Sequence, residues 1–200
     1  MKKIILLATV FFALQSFAQQ KHPSFMQQGN IYEVNIRQYT PEGTFNAFAK
    51  HIPRLKKMGV QTLWLMPIQP ISIYGRKGTL GSYYAVADYT SVNPEFGTMN
   101  DFNNLIKQAH ALGMKVIIDY VPNHSGADHT WLTTHPDFYE KDSTGKPTFT
   151  ADWSDTRELN FENREMQDSM INTMKFWVNK TKIDGFRIDV AWGVPNTFWT

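Results

Sequence analysis

Apolar and polar positions along this chain switch repeatedly between a period of two and a period near 3.6. Ile31-Tyr32-Glu33-Val34-Asn35-Ile36-Arg37 alternates apolar with polar and predicts a strand. Thr40-Pro41-Glu42-Gly43 is a turn, after which Phe45, Phe48, Ile52 and Leu55 recur at helical spacing until Gly59. Pro53 lies inside that helix, where it removes a backbone donor and crowds the preceding turn, so the helix should kink or divide there. Val60 to Met66 predicts a second, more continuously apolar strand ended by Pro67 and Pro70. A long loop follows, holding Tyr74-Gly75-Arg76-Lys77-Gly78 and Gly81-Ser82-Tyr83-Tyr84. Asn93-Pro94-Glu95-Phe96-Gly97 then turns into a helix with the stripe Phe102, Leu105, Ile106, Ala109 and Leu112. Thr98 and Asp101 have capping-box spacing at its start, and Gly113 marks its end.

Met114 to Asp119 predicts a third strand, apolar as expected when both faces are covered. Residues 121–161 show no period and are rich in Asp, Thr, His and aromatics. So long a stretch exceeds an ordinary strand-to-helix connection, and a short inserted subdomain is expected there. Asn163 has the position of an N-cap for a helix ending near Lys180. Met166, Met170, Ile171, Met174, Trp177 and Val178 supply its apolar face, and Ile183 to Val190 predicts the fourth strand. Strands alternating with helices imply an α/β fold with a parallel sheet. A (β/α)8 barrel and an open doubly wound sheet both fit that order. The turn after the first strand, Gln38 to Gly43, lacks the glycine-rich phosphate loop of a doubly wound nucleotide binder. In a barrel, active residues sit at the C-terminal ends of strands, where Asp119, His124, Arg187 and Asp189 all fall.

Composition changes the picture at the N-terminus. Met1-Lys2-Lys3, an apolar run from Ile4 to Leu14, and small residues at Ser16 and Ala18 match a secretory signal peptide over residues 1–18. That run is too short to span a bilayer, and no later one is long enough. Export to a periplasmic or extracellular site is the expectation. With two of the 20 basic residues in the leader, 18 bases face 18 acids in the mature chain. Nothing in that balance favours nucleic acid or an anionic membrane as a partner. The absence of cysteine excludes disulfides, thiolate metal sites and a cysteine nucleophile. Six Trp and eight Tyr suit core packing or stacking on sugar rings, and composition alone does not choose.

The most pointed chemistry is Asp184-Gly185-Phe186-Arg187-Ile188-Asp189. Arg187 and Asp189 stand two apart and therefore project to one side of a strand. Burying both is unfavourable unless they pair or open onto a site that uses the charge. A structural ion pair at the strand end is the alternative. A zinc site from His124, His129 and His135 with Asp119 and Asp128 has suitable ligand types but not the usual close spacing. Asn123, Asp128, Asp137, Asp142, Asp152 and Asp155 offer scattered oxygen ligands for calcium.

Three segments resemble a known family. Asp119-Tyr120-Val121-Pro122-Asn123-His124 resembles the first signature region of the α-amylase superfamily, glycoside hydrolase family 13, and Gly185 to Asp189 resembles its second. Tyr84-Ala85-Val86-Ala87-Asp88-Tyr89 and Asn93 to Thr98 are similar to its segment between strand two and helix two. The resemblance implies a (β/α)8 barrel and a retaining hydrolase of α-glucosidic bonds in starch-like glucans or maltooligosaccharides. It implies that Asp189 is the nucleophile, that Arg187 keeps it ionised, and that His124 and Tyr84 bind the attacked sugar. It implies a structural role at the strand end for Asp119. Asn123 matches a position that ligates calcium in some members, although the chemistry requires no cofactor.

The chain departs from the pattern in two places. Trp192-Gly193 stands where many α-amylases carry a Lys-His pair. Only four of the eight implied strands are present, without the glutamate general acid expected after strand five. The expectation is an N-terminal half of a longer enzyme, inactive by itself. The alternatives are a non-catalytic carbohydrate-binding relative and a sucrose- or trehalose-converting transglycosylase.

Overall fold

The computed structural model describes residues 23–200, so the leader expected over residues 1–18 lies outside the described residues. A short helix α1 (Ser24–Gln27) precedes β1 (Ile31–Val34). The alternation read through Arg37 does not continue as a strand. Asn35 caps α2 (Ile36–Tyr39), its side chain accepting from Gln38 N, and this local bond ends the strand at Val34. Pro53 divides the next helix as expected, into α3 (Phe45–Ala49) and α4 (Ile52–Lys57). It falls in the first turn of the second piece, where its missing donor is harmless.

The second strand is β2 (Thr62–Leu65), and the helix after the long loop is α5 (Met99–Ala111). Both halves of the Thr98–Asp101 capping box form. Leu112 lies past the last turn as the C-cap and is exposed rather than part of the stripe. β3 (Lys115–Tyr120) follows. The aperiodic stretch then contributes β4 (His124–Gly126), α6 (Trp131–Thr134) and β5 (Thr156–Glu158), with β4 and β5 paired antiparallel.

Asn163 caps α7 (Arg164–Thr181) by accepting from Met166 N, and β6 (Gly185–Ile188) completes the series. The buried stripe of α7 is Met166, Met170, Thr173, Trp177 and Thr181. Ile171, Met174 and Val178, expected on that face, lie on its flank, and Val178 is exposed. Thr173 displaces them because its hydroxyl binds that of Tyr120 at 2.6 Å, and that of Thr181 bonds back to the Trp177 carbonyl. Two polar side chains thus become compatible with the core.

β1, β2, β3 and β6 form one parallel sheet in that order. The register puts Leu63, Leu65, Val116, Ile118 and Tyr120 on one face, all fully buried beneath the helices. Trp64, Ile117, Asp119, Gly185 and Arg187 share the other face. Coverage of both faces was the expectation, yet Ile31 on this second face is largely exposed and Ile117 and Gly185 are half-buried. No helix among the described residues is long and apolar enough to cross a membrane.

Candidate active site

At the C-terminal ends of β3 and β6 the register sets Asp119 directly beside Arg187. Arg187 Nη1 donates to Asp119 Oδ1 at 3.1 Å and to Asp189 Oδ1 at 2.7 Å, holding the two carboxylates on one guanidinium. The guanidinium also lies 5.0 Å from the ring centre of Trp64. Asp119 is completely buried and accepts from Trp64 Nε1 at 3.2 Å and from the Tyr84 hydroxyl at 3.3 Å. Burial raises its pKa to about 6, with the hydrogen bond and charge of Arg187 pulling the other way. The Tyr84 hydroxyl is likewise held neutral, by burial first and then by the charges of Asp119 and Asp189.

Asp189 sits one residue beyond β6, its amide bonded to the Tyr120 carbonyl at 2.8 Å. The next residue, Val190, has φ 49° and ψ 39°. A β-branched side chain in this left-handed region is strained by roughly 1–3 kcal/mol. The chain turns away sharply there and leaves Asp189 facing a cleft. That cleft has a volume of ≈ 310 Å³, and Tyr84, His124, Trp153, Asp155 and Asp189 are among its lining residues.

His124 opens β4 and is 3% exposed, with Nδ1 3.1 Å from Asn123 Oδ1. Burial lowers its pKa, against the opposing charges of Asp189 and Asp155. Its backbone is fixed by Tyr89, whose buried hydroxyl donates to the His124 carbonyl at 2.7 Å. Gly126 lets β4 approach the loop that carries Tyr84. A Cβ there would stand 2.5 Å from Ser72 Cβ and 3.0 Å from the Ala85 and Val86 carbonyl oxygens.

The structure therefore gathers Tyr84, His124 and Asp189 around one cleft, with Asp119 and Arg187 beneath them. The zinc arrangement does not form, since among the described residues no three His, Asp or Glu side chains converge on a metal position. Asn123 has both amide atoms engaged, Oδ1 toward His124 and Nδ2 donating to the Gly193 carbonyl at 3.2 Å. One lone pair of Asn123 Oδ1 stays free of these contacts, so they leave the calcium expectation at Asn123 untested. Trp192 is 80% exposed and is not among the lining residues of the cleft. Sequence reasoning missed Trp64 and Trp153 and named Asp155 only as a scattered oxygen ligand for calcium, not as part of this cleft. Only the sheet register brings Trp64 to Asp119, and the other two lie in a stretch with no period to follow.

A parallel α/β sheet with an arginine-bridged pair of carboxylates at its strand ends belongs to the class of (β/α) folds, in which the C-terminal rim of the strands is where sites are built. The family model for the alpha amylase catalytic domain matches residues 15–154 and 148–197. The chain belongs to that family. It is similar to alpha-amylase 3 of Dictyoglomus thermophilum, 34% identical over 188 residues, covering 80% of this chain and 36% of the relative. A trehalose synthase of Pimelobacter is 30% identical, with 86% of this chain and 35% of the relative covered. Among solved structures, an alpha-amylase from Lactobacillus plantarum superposes with a TM-score of 0.83 at 42% identity. That match covers 86% of this chain and 40% of the other. The chain thus spans little more than a third of the length of these relatives.

Proposed function

We propose that the chain carries the nucleophile of a retaining glycoside hydrolase acting on α-glucosidic bonds of starch-like glucans or maltooligosaccharides. The observation that carries this reading is the Asp119–Arg187–Asp189 cluster opening onto the cleft of Tyr84 and His124. Asp189 attacks the anomeric carbon, and the bond to the leaving-group oxygen breaks as that oxygen takes a proton from a general acid. The same acid, now a base, deprotonates the water that releases the sugar from Asp189. Arg187 offsets the charge of Asp189 before attack. Tyr84 offers a ring face to the sugar, and His124 a hydrogen-bonding group to its hydroxyls. The two carboxyl groups and water suffice, and no cofactor is assigned.

The general acid belongs, in this reading, on a fifth strand about 5 Å across the scissile bond from Asp189. Residues 19–200 are then the first four units of an eight-unit barrel, inactive by themselves, and the open sheet face is barrel interior awaiting the remaining strands. Residues 121–161 form the inserted subdomain that walls the cleft. Residues 1–18 direct export to a periplasmic or extracellular site, where neutral glucans are the substrate.

In the longer enzyme, Asp189→Asn should abolish turnover of maltooligosaccharides while leaving their binding largely intact. Near-normal turnover would overturn the nucleophile assignment. The similarity to a trehalose synthase favours a second reading, in which the glucosyl group passes from Asp189 to a sugar hydroxyl instead of water. Chromatography of the products from maltose separates free glucose from a rearranged disaccharide.

A further inference from the structure

Asp155 takes no part in that scheme, yet it lines the same cleft as His124, Trp153 and Asp189. It is 3% exposed, and its Oδ2 is buried without a hydrogen-bond partner. Its backbone, by contrast, is held firmly. The Asp155 carbonyl accepts from Ala127 N at 3.0 Å. An unpartnered buried acceptor is unfavourable by the desolvation of that group, and a turn of the Asp155 side chain toward the cleft would let a ligand supply the donor.

The neighbours define the donor. Lys77 also lines the cleft, but its ammonium group is engaged by Asp152, with Nζ 3.5 Å from Oδ2. Asp155 and Asp189 both present negative charge to His124, so an anionic sugar would meet two carboxylates here. A neutral sugar hydroxyl donates a hydrogen bond without adding charge. We infer that Asp155 is a specificity-determining residue that accepts a hydroxyl of the sugar bound in this cleft. The inference rests on the glycosidase reading above.

The test is kcat/KM in the longer native enzyme for maltotriose and for a set of its monodeoxy analogues, with wild type, Asp155→Ala and Asp155→Asn. Wild type should lose about 10- to 100-fold on the analogue lacking the bonded hydroxyl, the scale of a lost hydrogen bond to a charged group. Asp155→Ala should lose a similar factor on maltotriose and no longer discriminate against that one analogue. Should Asp155→Ala fail to fold, the near-isosteric Asp155→Asn, its melting temperature unchanged, should still show a reduced deoxy penalty. An undiminished penalty in the folded variants, or maltotriose rates within twofold of wild type, overturns the inference alone. A wild-type enzyme that neither cleaves nor rearranges maltooligosaccharides overturns the glycosidase reading and this inference with it.

Discussion

Replacing Asp119 with asparagine and measuring unfolding free energy from pH 4 to pH 7.5 sets burial against charge at one residue. The carboxyl is completely buried, and its pKa rises from 3.8 to about 6 although Arg187 lies in hydrogen-bond contact. A carboxyl raised in the folded state holds its proton more tightly there than in the unfolded chain. Its stabilising effect is therefore fully present below about pH 4 and is lost as the pH climbs through about 6. A shift of that size, at about 1.4 kcal/mol per pH unit, corresponds to about 3 kcal/mol. The Asp119→Asn variant has no such proton, and titrating groups outside the network of Asp119, Arg187, Asp189 and Tyr84 cancel when the two proteins are subtracted. Urea denaturation followed by circular dichroism gives both curves. Wild-type stability minus variant stability should fall by about 2.4 kcal/mol between pH 4 and pH 7.5, the rest of the shift lying below pH 4. A difference that stays flat, or that grows with pH, would mean that Arg187 outweighs burial and that Asp119 is ionised throughout.

Two further substitutions separate neighbouring contributions. Tyr84→Phe removes only the 3.3 Å bond to Asp119 and should lower stability by about 1 kcal/mol with KM little changed. Tyr84→Ala also removes the ring and should raise KM for maltooligosaccharides by about tenfold in steady-state assays, for the lost stacking area. Thr98→Ala removes the hydroxyl that accepts from Asp101 N at 3.2 Å and donates to Asp101 Oδ2 at 2.6 Å. It should destabilise the fold by about 1 kcal/mol in the same urea titration and leave kcat unchanged.

Strand order and helix identity were legible wherever the signal was local. The Thr98–Asp101 box, the Asn163 cap and the break at Pro53 all depend on neighbours within a few residues, and all form. Legibility failed where local and long-range bonds compete. Asn35 diverts an alternating run into a helical turn. Thr173 takes a core position because Tyr120, far along the chain, supplies a hydroxyl partner. The same division runs through the site. Asp119, His124, Arg187 and Asp189 were readable because each stands at a strand end in a recognisable motif. Trp64 was not, because its partner Asp119 is 55 positions away and only the sheet brings the two together. Asp155 and Trp153 sit in an aperiodic stretch held by the short β4–β5 pair and two isolated antiparallel bridges.

The central claim, that Asp189 forms the covalent bond to the sugar, is tested most directly by trapping that bond. The longer enzyme would be treated with a fluorinated α-glucosyl fluoride, whose slow second step lets the glycosyl-enzyme accumulate, and digested for peptide mass spectrometry. A single fluoroglucosyl adduct on the carboxylate of Asp189, lost when maltose is added as acceptor, is the predicted result. An adduct on another carboxylate, or full turnover with Asp189 replaced by Asn, would contradict it.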